Sequence, residues 1–541
     1  MGKNYSILFR LSGIVVILGI LVLYAINAFL GPLNQDEGWY LLAAINTANG
    51  MVPYKDFAYT QAPVLPYFYG AFADVWSDGG VLGGRVFTAV LGVLGVFFAS
   101  MTAYCLAPQG RKAAAAIIAL ALLGLSPVYS YFTTIPKTYA LASLFVCAGA
   151  FSLVCQKRLS FEFAAAFFAL AAGVRLSLGV ILAAVGVGLL IFCKRKELRF
   201  AWLRFGIAGA IMLAIIFVPA LLGAYENFVF CQTYHVGRET PAILYRLVLM
   251  GGFLSRILQA YFPSVALFIA SALVVWFTAR RQHQANKEMG VVKRVAEWVK
   301  TTSIEHVFVI ILAISFAATM LVHGTAPFPY DDYQTPGMPF LAVLAAVLFA
   351  MATRNVAWYR SLTIVVFACV GLFAIGSPMC MNWVLERQDR FWFIMQDEPQ
   401  VLKLKRIGAE LRERLPENAL LFTQDAYLAV EAQRKVALGL ELGPFSMFDY
   451  NSWMTDDVAR ERNVHTFTTL LELLESGKCP IAAISGYSFA ITCPSTEATP
   501  PELVDQFYDV LERKYELVKE EPSFGQCFTT LKIYKLKNEE K

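Results

Sequence analysis

The chain of 541 residues is 57% hydrophobic and 16% charged, with a formal net charge of +5, and its mean hydropathy is +0.56. That composition excludes a soluble globular protein and describes a polytopic membrane protein. The positive excess is not a nucleic-acid footprint, because the Lys and Arg residues cluster between apolar segments instead of forming one basic face.

The first apolar stretch, Leu11 to Leu30, is long enough to cross a bilayer, and no small-residue cleavage site follows it, so it reads as a span and not as a removed signal. Lys3 and Arg10 precede it. The second span, Val81 to Leu106, is followed by Arg111-Lys112. A third and fourth, Ala113 to Tyr131 and Thr138 to Cys155, lead to Lys157-Arg158. Two short runs, Phe161 to Ala172 and Leu176 to Phe192, are parted by Gly173-Val174-Arg175 and end at Lys194-Arg195-Lys196, as an outward and return pair would. The remaining spans are Ala201 to Leu222, Tyr261 to Thr278, Val307 to Val322, Met338 to Thr353 and Ser361 to Gly376. This makes about eleven transmembrane helices of roughly 20 residues each. The basic clusters place the N-terminus in the cytoplasm, and the odd count puts the C-terminus outside the inner or plasma membrane.

After Gly376 the charged density becomes that of an ordinary globular domain. The expected organisation is a membrane domain over residues 1–380, with a first outer loop at 31–80, and an extracytoplasmic α/β domain over 381–541. Strand-length apolar runs (Ala419 to Thr423, Ile481 to Ser485, Phe528 to Tyr534) and amphipathic helical stretches (Val401 to Leu415, Leu503 to Tyr515) support it. Cys105, Cys147, Cys155, Cys193 and Cys369 lie in or beside spans and read as small hydrophobes. Cys479, Cys493 and Cys527 would face an oxidising compartment, so one disulfide among them is expected, with the pairing open. No Cys-x-x-Cys or Cys/His spacing supports zinc.

The outer loops carry the chemistry. Asp36-Glu37 follows the first span directly, in Asn34-Gln35-Asp36-Glu37-Gly38-Trp39-Tyr40, and an acid at a membrane exit before an aromatic-rich loop can meet a polar headgroup whose tail stays in lipid. The plain structural alternative is that Asp36 caps a helix starting near Gly38, with Glu37 favoured by its dipole. Prolines and aromatics, among them Trp39, Tyr54, Phe57, Tyr59, Tyr67, Phe68 and Tyr69, suggest a structured loop with helices along the membrane surface, and most of these rings would serve an interfacial belt.

These residues resemble the GT-C superfamily of polyprenyl-phosphate-sugar-dependent glycosyltransferases, in particular the protein O-mannosyltransferase and aminoarabinose transferase branch. The resemblance rests on Asp36-Glu37 after the first span, Gly50 with Pro53-Tyr54-Lys55-Asp56, Pro63 before an aromatic run, and Arg85 after Gly83-Gly84. The late loop Tyr330-Asp331-Asp332-Tyr333 through Pro336 and Pro339 is also similar. The fold class so implied is a GT-C-like polytopic α-helical membrane protein with a C-terminal extracytoplasmic α/β domain.

The resemblance implies an inverting transfer of a hexosyl or pentosyl group from a polyprenyl-phosphate donor to a hydroxyl of a glycan, glycolipid or protein at the outer face. Asp36 is then the general base and Glu37 its neighbour. The chemistry agrees: a base must take the acceptor proton while phosphate leaves from the opposite face of the anomeric carbon, and one carboxylate suffices when cations hold the leaving charge. Outward-facing candidates for the donor phosphate are Lys55, Arg85, Lys137, Arg175 and Arg238. Related enzymes often carry a Lys before the first-loop proline, where this chain reads Gln61-Ala62-Pro63, so Lys55 or Lys137 would substitute. Tyr40, Asp56, Gln61, His323, Asp332 and Tyr333 are candidates for sugar or acceptor. No cofactor is required, although Asp331-Asp332, His323 and Asp36 could assemble a divalent-metal site. A multi-pass transporter and a non-catalytic envelope-assembly subunit are the alternatives; the first would place polar or broken helices near the bilayer midplane.

Overall fold

A computed structural model describes residues 2–234, 241–283, 302–376, 398–448, 454–493 and 497–537. Among these residues, eight helices are long and apolar enough to cross a membrane: Phe9–Leu30, Ala73–Leu106, Thr138–Cys155, Lys196–Gly223, Ile243–Thr278, Ile304–Gly324, Asp331–Ala352 and Tyr359–Gly376. Three shorter apolar helices, Lys112–Gly124, Ser160–Val174 and Leu176–Ile191, occupy the places of the other expected spans. Their shortness has local causes. Lys112–Gly124 stops because Ser126 caps a new helix, Pro127–Phe132, with Pro127 in its first turn. Ser160–Val174 stops at Arg175, whose backbone is extended (φ −145°, ψ 111°) before a 3-10 turn reverses the chain.

Thr138–Cys155 and Met338–Ala352 run through the middle of the bundle, buried on almost every side. Ala201–Gly223 and Tyr359–Gly376 bury few side chains, as lipid-facing helices do. Small residues set the closest crossings. A Cβ on Gly92 would lie 2.5 Å from the Thr133 carbonyl oxygen, and one on Gly149 2.7 Å from the Phe168 ring.

Residues 31–80, expected to be the first outer loop, form helices Gln35–Ala48, Val64–Ala71 and Ala73–Trp76. Gln35–Ala48 begins earlier than the sequence suggested, and its cap is Asn34, not Asp36. The Asn34 side chain accepts the Asp36 N–H at 3.2 Å, and Glu37 Oε1 accepts the Asn34 N–H at 2.8 Å, a reciprocal capping box. Asp36 therefore spends neither carboxylate oxygen on the cap.

The C-terminal part is a mixed α/β unit. Its strands, β1 (Leu420–Phe422), β2 (Lys435–Val436), β3 (Ile481–Ile484), β4 (Tyr515–Phe524) and β5 (Thr529–Leu536), form one sheet in the order β2-β1-β3-β5-β4. β1 pairs parallel with β2 and β3; β5 pairs antiparallel with β3 and β4. Helices Gln400–Arg414 and Pro501–Lys514 sit where amphipathic periodicity placed them. The expected boundary at residue 380 lies outside the described residues. No disulfide joins Cys479, Cys493 and Cys527, two of them buried and one exposed, so the expected bridge among them is not formed. They stand at the approach to β3, beyond β3 and in the β4–β5 turn, where the fold does not bring them together.

This unit packs directly on the membrane part. Helix Ala426–Ala432 lies against Gln35–Ala48 so closely that a Cβ on Gly38 would fall 2.2 Å from the Tyr427 backbone nitrogen. Gln35 Nε2 donates to the Gln424 carbonyl (3.3 Å) and Asp425 Oδ1 (3.2 Å), and its N–H donates to Gln526 Oε1 (2.7 Å). The Glu431 carboxylate accepts the Val81 N–H at 2.9 Å, at the N-terminus of the long helix Gly80–Leu106.

Candidate active site

A cavity of about 840 Å³ opens where these two parts meet. Its polar residues stand at helix ends, where the chain leaves apolar surroundings. Asp36 comes from the first turn of Gln35–Ala48, Lys137 from the N-cap of Thr138–Cys155, and Arg175 from the C-cap of Ser160–Val174. Asp331, Asp332 and Tyr333 come from the 3-10 segment Asp331–Gly337, and Arg256 from helix Ile243–His283, which kinks at Tyr261 and Pro263. The C-terminal unit adds Phe445, Tyr487, Ile491 and Gln526.

Lys137 organises the charges. Its Nζ lies 2.8 Å from Asp36 Oδ2 and 2.9 Å from Asp332 Oδ2. Burial works against the ammonium, but Asp332 and Asp36 outweigh it and hold its pKa well above the ordinary lysine value. The other oxygen of Asp36 accepts the Trp39 indole N–H at 3.2 Å. Arg256 pairs with Asp331 and donates to the Pro329 carbonyl at 2.7 Å. Arg175 differs: its Nη1 donates to the Tyr139 hydroxyl at 3.0 Å, and its guanidinium lies 4.5 Å from the Tyr333 ring centroid and 5.1 Å from that of Tyr139. Among the described residues no carboxylate stands within ion-pair distance of it. Three cations (Lys137, Arg175, Arg256) thus face three acids (Asp36, Asp331, Asp332), and one guanidinium is left without an acidic partner.

Of the residues singled out in the sequence, the cavity gathers Asp36, Tyr40, Gln61, Lys137, Arg175, Asp332 and Tyr333. His323 stands behind the wall, its Nε2 2.9 Å from the hydroxyl of the lining residue Ser177. Glu37 and Arg85 do not reach the cavity. They form a fully buried pair, Arg85 Nε to Glu37 Oε2 and Nη2 to Oε1 both at 2.6 Å, and Arg85 also donates to the carbonyls of Gly31 (2.9 Å) and Pro32 (2.7 Å). This geometry ties the first span to the start of Gln35–Ala48 and leaves Arg85 no donor for a phosphate and Glu37 no oxygen for a substrate. Lys55 lines a separate, mostly apolar pocket of about 430 Å³ with Val64, Tyr67 and Pro219. Asp56 Oδ2 accepts the Val52 N–H at 2.7 Å and closes its own loop. Arg238 lies outside the described residues.

Arg256, Tyr487 and Gln526 were not anticipated. Arg256 had a signal, a lone cation in an apolar stretch, but it precedes the point where the span was taken to start. The residues of the C-terminal unit had none, since only tertiary contact brings them here.

A divalent metal fits poorly. The oxygens of Asp36 and Asp332 that would converge on a cation already converge on the Lys137 ammonium, Asp331 is tied to Arg256, and His323 is held by Ser177. Among the described residues no three His, Cys, Asp or Glu side chains group to hold a metal.

No family model matches the sequence, and no curated protein matches it. Among solved structures, the chain is similar to ArnT from Cupriavidus metallidurans, solved bound to undecaprenyl phosphate, with 14% identity, a TM-score of 0.59, and coverage of 99% of this chain and 98% of that one. It also matches Archaeoglobus fulgidus oligosaccharyltransferase at 12% identity in two structures. One, a complex with Zn and sulfate, has a TM-score of 0.48 and covers 86% of this chain and 67% of that one. The other, the AglB complex with an inhibitory peptide and a dolichol-phosphate, has a TM-score of 0.46 and covers 86% and 69%. The likeness to ArnT extends from end to end, and the chain has the GT-C membrane fold.

Proposed function

We propose that this protein is a membrane glycosyltransferase that moves a sugar from a polyprenyl-phosphate donor to an acceptor hydroxyl at the outer face of the membrane, with inversion and with Asp36 as general base. In this reading residues 1–380 form the catalytic membrane domain, 381–541 lie outside the cell membrane, and the N-terminus is cytoplasmic. The observation that carries it is the single ammonium of Lys137 held between Asp36 and Asp332 in a cavity that also presents Arg175.

The donor phosphodiester brings an anion into a cavity whose own charges balance. Arg175 receives it first, because its guanidinium has no carboxylate to give up. Lys137 then turns toward the same phosphate, which frees Asp36 Oδ2 to accept a proton from the acceptor hydroxyl. Trp39 keeps hold of Oδ1, so the carboxylate rotates little. As the glycosidic bond to phosphate breaks, the growing negative charge on the leaving oxygen falls on Lys137, Arg175 and Arg256. Fold likeness to a protein solved with undecaprenyl phosphate supports a lipid-phosphate donor. Phe445, Tyr487 and Gln526 close the opposite wall and meet the acceptor.

The test is mass spectrometry of cell-envelope glycans, glycolipids and glycoproteins from cells with and without the gene. A sugar missing from one of these classes on deletion, restored by the wild-type chain, is the expected result. Identical glycans in both cells would overturn the reading.

A further inference from the structure

The far ends of the helices that carry the cavity residues meet in a second, polar pocket. Thr138–Cys155 has Lys137 at its N-terminus and Gln156, Lys157 and Arg158 beyond its C-terminus; Ser160–Val174 begins there with Phe161 and returns to Arg175. Ile304–Gly324 likewise starts at this pocket with Ile304 and Phe308 and ends at His323 and Gly324. An 18-residue helix is about 27 Å long, so the two pockets lie on opposite faces of the bundle.

This second pocket encloses about 350 Å³. Lys157, Arg158 and Arg204 line it, against one lining acid, Glu197. Arg204 is paired with Glu162 (2.6 Å), and Glu197 with Arg195 (3.6 Å), whereas Lys157 and Arg158 have no carboxylate partner among the described residues. Its floor is apolar, with Phe161, Leu198 and Phe308 buried. Leu159, Phe163, Phe200 and Leu203, in the same segments, are exposed at 49%, 55%, 61% and 43%, and Trp202 at 39%, so apolar surface for acyl chains adjoins the polar notch. A soluble anion would need only the cations, whereas a notch of cations bordered by bare apolar side chains fits a charged headgroup with its tails in the bilayer.

We propose that this pocket binds the headgroup of an anionic phospholipid in the leaflet opposite the candidate active site, the phosphate on Lys157 and Arg158 and the acyl chains over Phe163, Phe200 and Leu203. The proposal is independent of the sugar-transfer reading. It concerns a site built from the same helices but sharing no residue with the cavity.

The full-length protein, purified in a neutral detergent, is mixed with phosphatidylglycerol or phosphatidylcholine, and retained lipid is read by native mass spectrometry. The wild type is expected to retain phosphatidylglycerol in preference to phosphatidylcholine. Lys157→Gln and Arg158→Gln, both on an exposed turn, should each weaken that retention about fivefold. Arg354→Gln, which removes a cation outside the pocket at the end of helix Met338–Ala352, should retain the lipid as the wild type does. Equal retention of the two lipids by the wild type, which needs no variant to fold, would overturn the proposal. So would undiminished phosphatidylglycerol binding by the Lys157→Gln/Arg158→Gln double variant, or displacement of the lipid by inorganic phosphate alone.

Discussion

Lys137 stands between two carboxylates that would otherwise face each other across the cavity, so its loss exposes Asp36 and Asp332 to mutual repulsion as well as removing a phosphate donor. Lys137→Gln is expected to lower sugar transfer about 10²-fold or more, with Asp332→Asn costing much less, when transfer is followed with a lipid-linked donor in membranes. Arg175→Lys keeps the charge but not the planar guanidinium set against the Tyr139 and Tyr333 rings, and should cost roughly tenfold in kcat/KM for the donor. Equal activity of the Lys and Arg forms would show that the rings only fill space. Asp36, Lys137 and Arg175 could be read from the sequence because a charge at the edge of an apolar segment has few ways to be accommodated. Arg85 was misplaced for a related reason: it too opens a span, and nothing near it in the chain discloses that Glu37, 48 residues earlier, folds back onto it.

At the scale of the element, helix Gln35–Ala48 carries Asp36, the proposed general base, and is fixed from both sides. Below, the Arg85–Glu37 pair anchors its first turn with both partners fully buried. Removing one partner from such a pair strands a charge, so Glu37→Gln and Arg85→Met are each expected to cost about 3–5 kcal/mol, seen as a lowered melting temperature of the detergent-solubilised protein. Asp36→Asn should melt as the wild type does, which separates chemistry from folding. Above, Gly38 admits the backbone of helix Ala426–Ala432. Gly38→Ala would place a methyl 2.2 Å from the Tyr427 nitrogen and 2.7 Å from the Ala426 carbonyl carbon, so one helix must move. Overpacking of this kind costs about 1–3 kcal/mol, and the displaced Asp36 should lower kcat more than it raises KM. This contact was invisible in the sequence, where Gly38 looked only like a position near a helix start. The elements that did follow from the sequence, Gln400–Arg414, Pro501–Lys514, β3 and β5, have strong periodicity or a short apolar run with clear ends. β4 was missed because its charged side chains, among them Glu516, Lys519 and Glu520, hide the strand.

Taken whole, the molecule is a helical bundle whose cavity is finished by a separate α/β unit, and that unit holds acids of unusual burial. Glu441 is 6% exposed and burial raises its pKa from 4.5 to about 7, in spite of the Gly439 N–H it accepts. A carboxyl whose folded pKa is raised binds more protons folded than unfolded, so its favourable contribution is complete below pH 4.5 and is lost as pH rises toward 7. The loss is about 3 kcal/mol. Glu521, held down to about 2 by hydrogen bonds from Arg406 and then Lys519, acts in the other direction and only below pH 4.5. Burial holds His465, in the same unit, down to about 4 and so favours higher pH. The melting temperature of the wild type relative to Glu441→Gln, in which that contribution cancels, should therefore fall between pH 5 and pH 8, and parallel curves would contradict the assignment. The outline of two parts could be read from the change in charged density near residue 376, but their joint construction of one cavity could not, because Tyr487 and Gln526 reach Asp36 only through the packing of Ala426–Ala432 on Gln35–Ala48.

The most direct measurement compares wild-type protein with Asp36→Asn at equal membrane abundance and equal melting temperature, following sugar release from a polyprenyl-phosphate donor onto the acceptor identified from the envelope glycans. Loss of transfer by about 10²-fold or more, with donor binding retained, is the result the account predicts. Transfer at the wild-type rate by the Asn form would contradict it.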